Sequence, residues 1–444
     1  MVQGLGFGDE GKGTMVDYLA RTKNPGVVIR YNGGAQAAHN VVTPDGKHHT
    51  FSQWGSGTLA GVETHLSKHV MIDPLSMVPE AKHLEEIGIS DPWTMLSVDP
   101  DAPLITPYHR VINRIREGSR GAGRHGSVGI GECMSDLLKH GRLVVPTAGD
   151  LNKPTLFVEK LMAIQYFAKQ KLDEMNSSNF HKLPAGLFEL LDTDPYKIWQ
   201  RYENVRYMVN VEETSELLEA ICHRAGMGAL FEGAQGVLLH QDYGFHPHTT
   251  WSDTSFTNAY QILAEAGFHD AELERIGVVR SYMTRHGAGP MPTELVGQAW
   301  AQAFNRHDHN QPSEHTGSMR VGYLDLPLLM YSLDVIGKLE GLAVTHLDKQ
   351  LPQVCTRYAC GMKDSQHFDP VTDKIWVNAY SHDPLLEEGH LQLQQELGDM
   401  LKKRVIPLFE DIDAITALKR LSRPILYESH GPTWKHKKET EKTS

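Results

Sequence analysis

Apolar residues in this chain fall in short runs of about four or five, each ending at a glycine-rich or polar loop. Runs at 26–30, 69–73, 95–99, 207–211, 229–232, 275–280, 341–345 and 423–427 read as strands buried on both faces. Between them, helical patterning covers 14–20, 108–116, 212–225, 324–339 and 391–403. Strands alternating with helices predict an α/β fold with a large, mostly parallel central sheet and helices on both faces. Residues 151–205 carry helical patches in polar sequence without a chemical motif and read as a peripheral helical insertion. With no internal repeat or long linker, 1–434 reads as a single domain, and 435–444 as a mobile polar tail.

Open α/β sheets bind ligands at the carboxyl ends of their strands, so the loops there carry the candidate chemistry. The first is Gly4-Leu-Gly-Phe-Gly-Asp-Glu-Gly-Lys-Gly-Thr14, which runs from a short strand into a helix. Its glycines let the backbone turn N–H groups toward an anion, and the helix start adds a favourable dipole, which makes a phosphate cradle. Gly6, Gly11 and Lys12 fit the P-loop pattern, but Gly13 stands where Ser or Thr should hold Mg²⁺. Asp9, inside the loop, is the candidate for another metal ligand or for a base.

Further loops follow at 31–40, 233–236, 283–290, 346–349 and 429–433. The hydroxyl-rich stretch 246–255 reads as a turn or, beside a phosphate loop, as a nucleotide-holding segment. The basic loop 118–131, with Arg120, Arg124, His125 and Ser127, reads first as a surface connection.

Composition narrows the classes. A net charge of -12 gives no global attraction to nucleic acid or acidic membrane, and no apolar run reaches the length of a membrane span. The cysteines at 133, 222, 355 and 360 form no CxxC pair. A reduced, cytoplasmic setting is the expectation.

The loops together resemble the adenylosuccinate synthetase family across nearly the whole chain. The resemblance rests on Gly8-Asp-Glu-Gly-Lys-Gly13, the loop ending in His39, Phe231-Glu-Gly-Ala-Gln-Gly236, Thr284-Arg-x-Gly-x-Gly-Pro-x-Pro-Thr-Glu-Leu295 and Gly431-Pro432, in that order. It implies a GTP-dependent ligase that acts on inosine monophosphate and aspartate with Mg²⁺, generally as a homodimer. Asp9, Lys12 and His39 match the family's catalytic positions. Asp9 and the carbonyl of Ala38 match its metal ligands. Gly8, Glu10, Gly11, Gly13, Asn40, Asp348, Ser429, Gly431 and Pro432 match the GTP site. Gln36, Ser127, Arg142, Gln235 and Thr250 match purine-nucleotide contacts, with Arg142 resembling an arginine contributed across the dimer interface. Thr316, Gly317 and Arg320 match the amino-acid loop.

Several departures from the family cluster, with the largest in the acceptor half. Gln36 stands for an asparagine that touches the nucleotide, Ala38 for a glycine at the metal and His346 for a lysine at the guanine pocket. The segment Glu314-His-Thr-Gly-Ser-Met-Arg-Val-Gly-Tyr323 is one residue shorter than the family's and keeps only Arg320 of its arginines. A bidentate carboxylate clamp is hard to rebuild from Ser and Met. The expectation is therefore a ligase whose amino donor differs from aspartate, with orthodox adenylosuccinate synthesis as the alternative. Two other classes remain open: a guanine-nucleotide-binding regulator without ligase activity, and a scaffold with vestigial loops.

Overall fold

The computed structural model describes residues 1–120, 130–174, 185–269, 271–297, 319–349, 351–360, 368–369, 374–375 and 387–440. Its strands in chain order are β1 (Val2–Gly4), β2 (Val27–Arg30), β3 (His39–Val42), β4 (His48–Phe51), β5 (Glu63–Leu66), β6 (Leu96–Val98), β7 (Asn210–Val211), β8 (Ala229–Gly236), β9 (Ile276–Arg280), β10 (Tyr282–His286), β11 (Met319–Asp325), β12 (Gly341–Thr345), β13 (Val354–Cys360), β14 (Phe368–Asp369), β15 (Lys374–Ile375), β16 (Val405–Glu410), β17 (Ile425–Ser429) and β18 (Lys437–Glu439). Ten of them form one sheet in the order β18-β17-β12-β9-β1-β8-β2-β5-β6-β7. Among the described residues, only the β17–β18 edge pair in that sheet is antiparallel. A smaller sheet runs β10-β11-β13-β16.

Side-chain alternation explains the unbroken apolar runs. Val27, Ile29, Val279, Leu342 and Val344 face a layer containing the helices Thr257–Glu265 and Leu326–Ile336. Val28, Val278 and Ala343 face the opposite layer, with Met15, Val16 and Leu19 of the helix Lys12–Lys23. Both faces are covered, so both alternating sets of side chains in β2, β9 and β12 are apolar up to the polar residues at the strand ends. A further core gathers Phe157, Leu161 and Ile164 of the helix Pro154–Asp173 with Tyr108 and Val111 of Pro107–Arg120 and with Trp199.

Several expected elements differ. The run 69–73 forms only isolated bridges, through Met71 to Gly34 and Ile72 to Leu104, and the neighbouring strand is β5. The run 207–211 shortens to β7, because Val205–Tyr207 closes a 3₁₀ turn. The helix expected over 212–225 is α-helical only at Thr214–Leu218 and continues as a π-turn. The basic stretch 118–131 is helical at both ends, in Pro107–Arg120 and Ile130–His140. The expected tail is structured through β18, which pairs along β17, rather than free from residue 435 onward.

Candidate active site

Strand β1 lies between β8 and β9, so the glycine loop that follows it opens where the chain turns to both sides of the sheet. Such a position is the usual ligand crevice of an open α/β sheet. Three consecutive carbonyls of that loop are held from the neighbouring strand ends. Thr284 Oγ1 donates to Gly8 (3.2 Å), Arg280 Nη1 to Asp9 (3.0 Å) and Thr345 Oγ1 to Glu10 (2.5 Å). With the carbonyls tied outward, the loop's N–H groups turn inward.

Those N–H groups meet an internal anion. Glu10 Oε1 accepts from the N–H of Gly6 (2.9 Å) and Gly8 (2.7 Å), and its Oε2 lies 2.7 Å from Lys12 Nζ. Both Glu10 and Lys12 are buried. The carboxylate thus sits on donors that the sequence assigned to a phosphate. Gly8 and Gly11 lie at φ of 94° and 93°, where a Cβ is strained.

Gly13 is explained by packing. A Cβ there would come within 2.8 Å of the His39 Cβ and 2.9 Å of the Ser56 hydroxyl oxygen. The missing P-loop hydroxyl leaves room for the histidine. His39 opens β3 and is buried, its Nδ1 2.6 Å from Glu232 Oε1 at the end of β8. Glu232 also accepts from the Ser56 hydroxyl (2.5 Å) and backbone N–H (2.9 Å). Burial would raise the Glu232 carboxyl, but His39, Arg30 and Ser56 outweigh it and hold it down to about 2. Burial pulls the His39 imidazole below its ordinary value, against the opposing pull of Glu232. The carboxylate is therefore ionised beneath the ring.

Asp9 takes a left-handed conformation (φ 61°), and its Oδ2 lies 2.7 Å from His286 Nε2 at the end of β10. Burial raises the Asp9 carboxyl, yet hydrogen bonding to His286 and the charges of Arg280 and Lys12 leave it lower than usual. Its side chain remains 25% exposed, so it reaches the crevice. Ala38, beside His39, is exposed.

The purine-side residues also converge. Asn32 accepts from the N–H of Ala234 (2.6 Å) and donates to the carbonyl of Asp253 (2.9 Å), which ties the second loop to 233–236 and to 250–253. Gln235 (φ 60°) accepts from the Ser252 hydroxyl (2.8 Å), and Thr250 N–H bonds the Leu239 carbonyl (2.8 Å). Gln36 presents a buried Oε1 that has no partner among the described residues. Arg142 lies away from this cluster on a 3₁₀ turn, half-exposed and paired with Asp101.

On the other flank, the Thr14 hydroxyl bonds the Pro432 carbonyl (3.0 Å), which joins the start of the first helix to 429–433. The Ser429 hydroxyl turns to the carbonyl of Gly431 (3.3 Å), and Asp348 is exposed in the turn Leu347–Lys349 after β12. Asn40 is used by its own hairpin, accepting from His48 (2.9 Å) and Thr50 (2.7 Å). Arg320 is engaged locally. It pairs with both carboxylate oxygens of Glu294 and donates to the carbonyls of Gly287 (3.1 Å) and Gly289 (3.0 Å). Ser127, Thr316 and Gly317 lie outside the described residues.

The adenylosuccinate synthetase family model matches residues 1–381. The chain belongs to the adenylosuccinate synthetase family. Curated synthetases agree: that of Halothermothrix orenii is 34% identical over 432 residues, covering 93% of each chain. That of Syntrophobacter fumaroxidans is 30% identical over 444 residues, covering 97% of this chain and 96% of its own. The fold matches the fully ligated Plasmodium falciparum adenylosuccinate synthetase with a TM-score of 0.76, at 20% identity and 99% coverage of both chains. It also matches the cyanophage S-2L succinoaminodeoxyadenylate synthetase bound to dGMP and dATP, with a TM-score of 0.57, 15% identity and coverage of 99% and 94%. As a member of the adenylosuccinate synthetase family, the chain is a GTP-dependent C–N ligase of purine biosynthesis. Among the described residues no helix is long and apolar enough to cross a membrane.

Three residues with no role assigned from sequence contact the candidate residues or their partners: Glu232, Ser56 and His286. Glu232 stood inside a recognised motif, and its placement at a strand end was the available signal. His286 stood inside the 283–290 loop in the same way, whereas Ser56 carried no signal, since only the fold brings it to Glu232 beside His39.

Proposed function

We propose that this chain phosphorylates O6 of an inosine monophosphate-like nucleotide from GTP and then joins an amine at C6. The observation that carries the reading is the convergence of Asp9, Lys12 and His39 from the first loop, the first helix and β3. A helix start beside Lys12 and an ionised Glu232 beneath His39 suit a site where phosphate charge moves.

Asp9 takes the proton from N1, which makes O6 nucleophilic. O6 attacks the γ-phosphorus, the bond to the β-phosphate oxygen breaks, and GDP leaves. Lys12 exchanges Glu10 for phosphate, and phosphate oxygens facing Nε2 offset the burial that otherwise keeps His39 neutral, so that the protonated ring donates from Nε2 to the phosphates and from Nδ1 to Glu232. The amine nitrogen then attacks C6, phosphate departs with O6, and a proton is lost from nitrogen.

Among the described residues no group of three or more His, Cys, Asp or Glu could hold a metal. One carboxylate, a carbonyl and substrate phosphates nevertheless form the oxygen set that Mg²⁺ uses. Asp9 and the Ala38 carbonyl are the residues that would hold it, and it would neutralise charge on the phosphates. Gln36, Gln235 and Thr250 are assigned to the purine nucleotide, as is Ser127. Gly8, Gly11, Gly13, Asp348, Ser429, Gly431 and Pro432 are assigned to GTP. By the family resemblance Arg142 serves a second copy's nucleotide, so a homodimer is part of the proposal.

The amino donor is assigned to an amine other than aspartate, because Arg320 is already paired with Glu294 and its neighbouring arginines are replaced. Use of L-aspartate is the second reading, favoured by the near full-length similarity to curated synthetases. Mass spectrometry of reactions with GTP, inosine or guanosine monophosphate, and a panel of amino acids tests both. The expected result is GDP release that needs purine and amine together, with a product mass that names them. GTP turnover indifferent to any purine monophosphate would overturn the ligase assignment.

A further inference from the structure

The loop residue Asp9 is anchored twice, by its main chain and by its side chain, and the two anchors come from different sheets. Arg280 ends β9 of the large sheet and holds the Asp9 carbonyl, while His286 ends β10 of the small sheet and meets the Asp9 carboxylate. We propose that His286 is a positioning residue for Asp9, fixing the carboxylate oxygen that accepts the purine proton. This rests on the assignment of Asp9 as the base.

The geometry favours a built contact over a chance one. His286 is the last paired residue of β10, in register with Met319 of β11, and the chain leaves it through Gly287 at φ 70°. Its neighbour Arg285 is buried, donates to the carbonyls of Pro290 (2.9 Å) and His248 (3.1 Å), and lies over the Phe7 ring at 4.1 Å. A bridge pairs Phe7 with Arg285. The strand end that carries the imidazole is therefore fastened to the same loop that carries the carboxylate.

Asp9 itself needs such support. A non-glycine residue at positive φ sits in a sparsely populated region and persists there only where surrounding contacts fix it. Proton abstraction requires the accepting oxygen within hydrogen-bond reach of N1, so a carboxylate spread over several rotamers loses rate without losing ligand affinity. The Nε2–H···Oδ2 contact removes that freedom. Its Nδ1 is buried and has no partner among the described residues, so the ring is aimed by Asp9 rather than by a competing hydrogen bond.

The test compares full-length wild type with His286→Val, His286→Asn and Asp9→Asn. Steady-state GDP release with GTP, inosine monophosphate and the amine identified by the amino-acid panel gives kcat and KM. Calorimetric titration with inosine monophosphate and with a non-hydrolysable GTP analogue gives nucleotide affinity apart from turnover. The expected result is a fall in kcat of about 30- to 100-fold for His286→Val with both dissociation constants within about twofold of wild type. Asn retains an N–H donor and should recover at least about a third of the logarithmic loss. If the Val variant fails to fold, the Asn variant and His286→Leu carry the comparison.

A kcat for His286→Val within about twofold of wild type overturns the proposal. So does a fall that Asn leaves unrestored, or one matched by lost nucleotide affinity. If Asp9→Asn turns over as fast as wild type, or if wild type releases GDP without purine, the function assigned to Asp9 fails instead. Turnover that needs Asp9 but is indifferent to His286 overturns only this inference.

Discussion

His39 Nδ1 lies 2.6 Å from Oε1 of Glu232, and the same carboxylate accepts the Ser56 N–H at 2.9 Å. Three separate segments thus fix one imidazole. Replacing Glu232 by Gln keeps the shape but removes the charge that supports a protonated ring. The expected outcome is a fall in kcat on the order of 100-fold, with little change in nucleotide KM, read by steady-state GDP release. An unchanged kcat would separate Glu232 from the transfer step.

Restoring the hydroxyl of an ordinary P-loop should harm this protein. Gly13→Ser pushes a side chain into the space between His39 and Ser56, where a Cβ already meets atoms at 2.8 and 2.9 Å. Overpacking of that kind costs about 1–3 kcal/mol. Thermal unfolding should show the loss, together with weaker guanine-nucleotide binding. Equal stability and binding would mean that the first helix shifts freely.

Asp150 and Lys160 form a buried ion pair at 2.6 Å, and Asp150 also accepts the N–H of Thr147 at 2.9 Å. Lys160→Met leaves that carboxylate buried without its cation, which costs roughly 3–5 kcal/mol. Denaturant unfolding should show that loss, and adding Asp150→Asn should recover part of it. The pair ties the turn Ala148–Asp150 to the helix Pro154–Asp173 and includes no candidate site residue, so a double-variant cycle reports structure.

His65 is fully buried between the hydroxyls of Ser97 (2.8 Å) and Thr214 (2.7 Å). Burial pulls its pKa down to about 4, with Asp99 opposing. The unfolded chain takes up the proton near the ordinary value while the folded one resists. Stability from this group is complete above about pH 6.5 and is lost as pH falls toward 4, by at most about 3 kcal/mol. Urea midpoints between pH 4 and 7 should slope accordingly, and His65→Gln should flatten the slope. An unaltered slope would assign it to other groups.

Under the proposed function, Asp348→Asn should relax the preference for GTP over ATP. Losing a charged acceptor for guanine's donors costs about 1–3 kcal/mol, or roughly 10- to 100-fold in selectivity. The ratio of kcat/KM values for the two nucleotides is the measurement. A ratio unchanged by the substitution would place the base elsewhere.

The loops at the strand ends were legible from sequence because glycine and polar residues interrupt short apolar runs, and both-sided burial left those runs unmistakable. Marginal elements were not. The run 69–73 has a strand's composition, yet β5 occupies the sheet position, and β18 is too charged to read as a strand until β17 offers it an edge. Tertiary pairing overrides composition at such places.

The chemistry divides the same way. Sequence alone made the glycine loop with Asp9 and Lys12, and His39, legible as candidates, because a glycine-rich turn from strand to helix and a histidine in a strand-end loop are local properties. Only the tertiary structure decided that Glu10 fills the cradle, that Glu232 underlies His39 and that His286 meets Asp9. Such contacts join residues distant along the chain, as with the 277-residue separation of His286 from Asp9, and no local pattern encodes them. Gly13 shows the difference in one residue. Along the chain it is a missing metal hydroxyl; in the fold it is the space that His39 occupies.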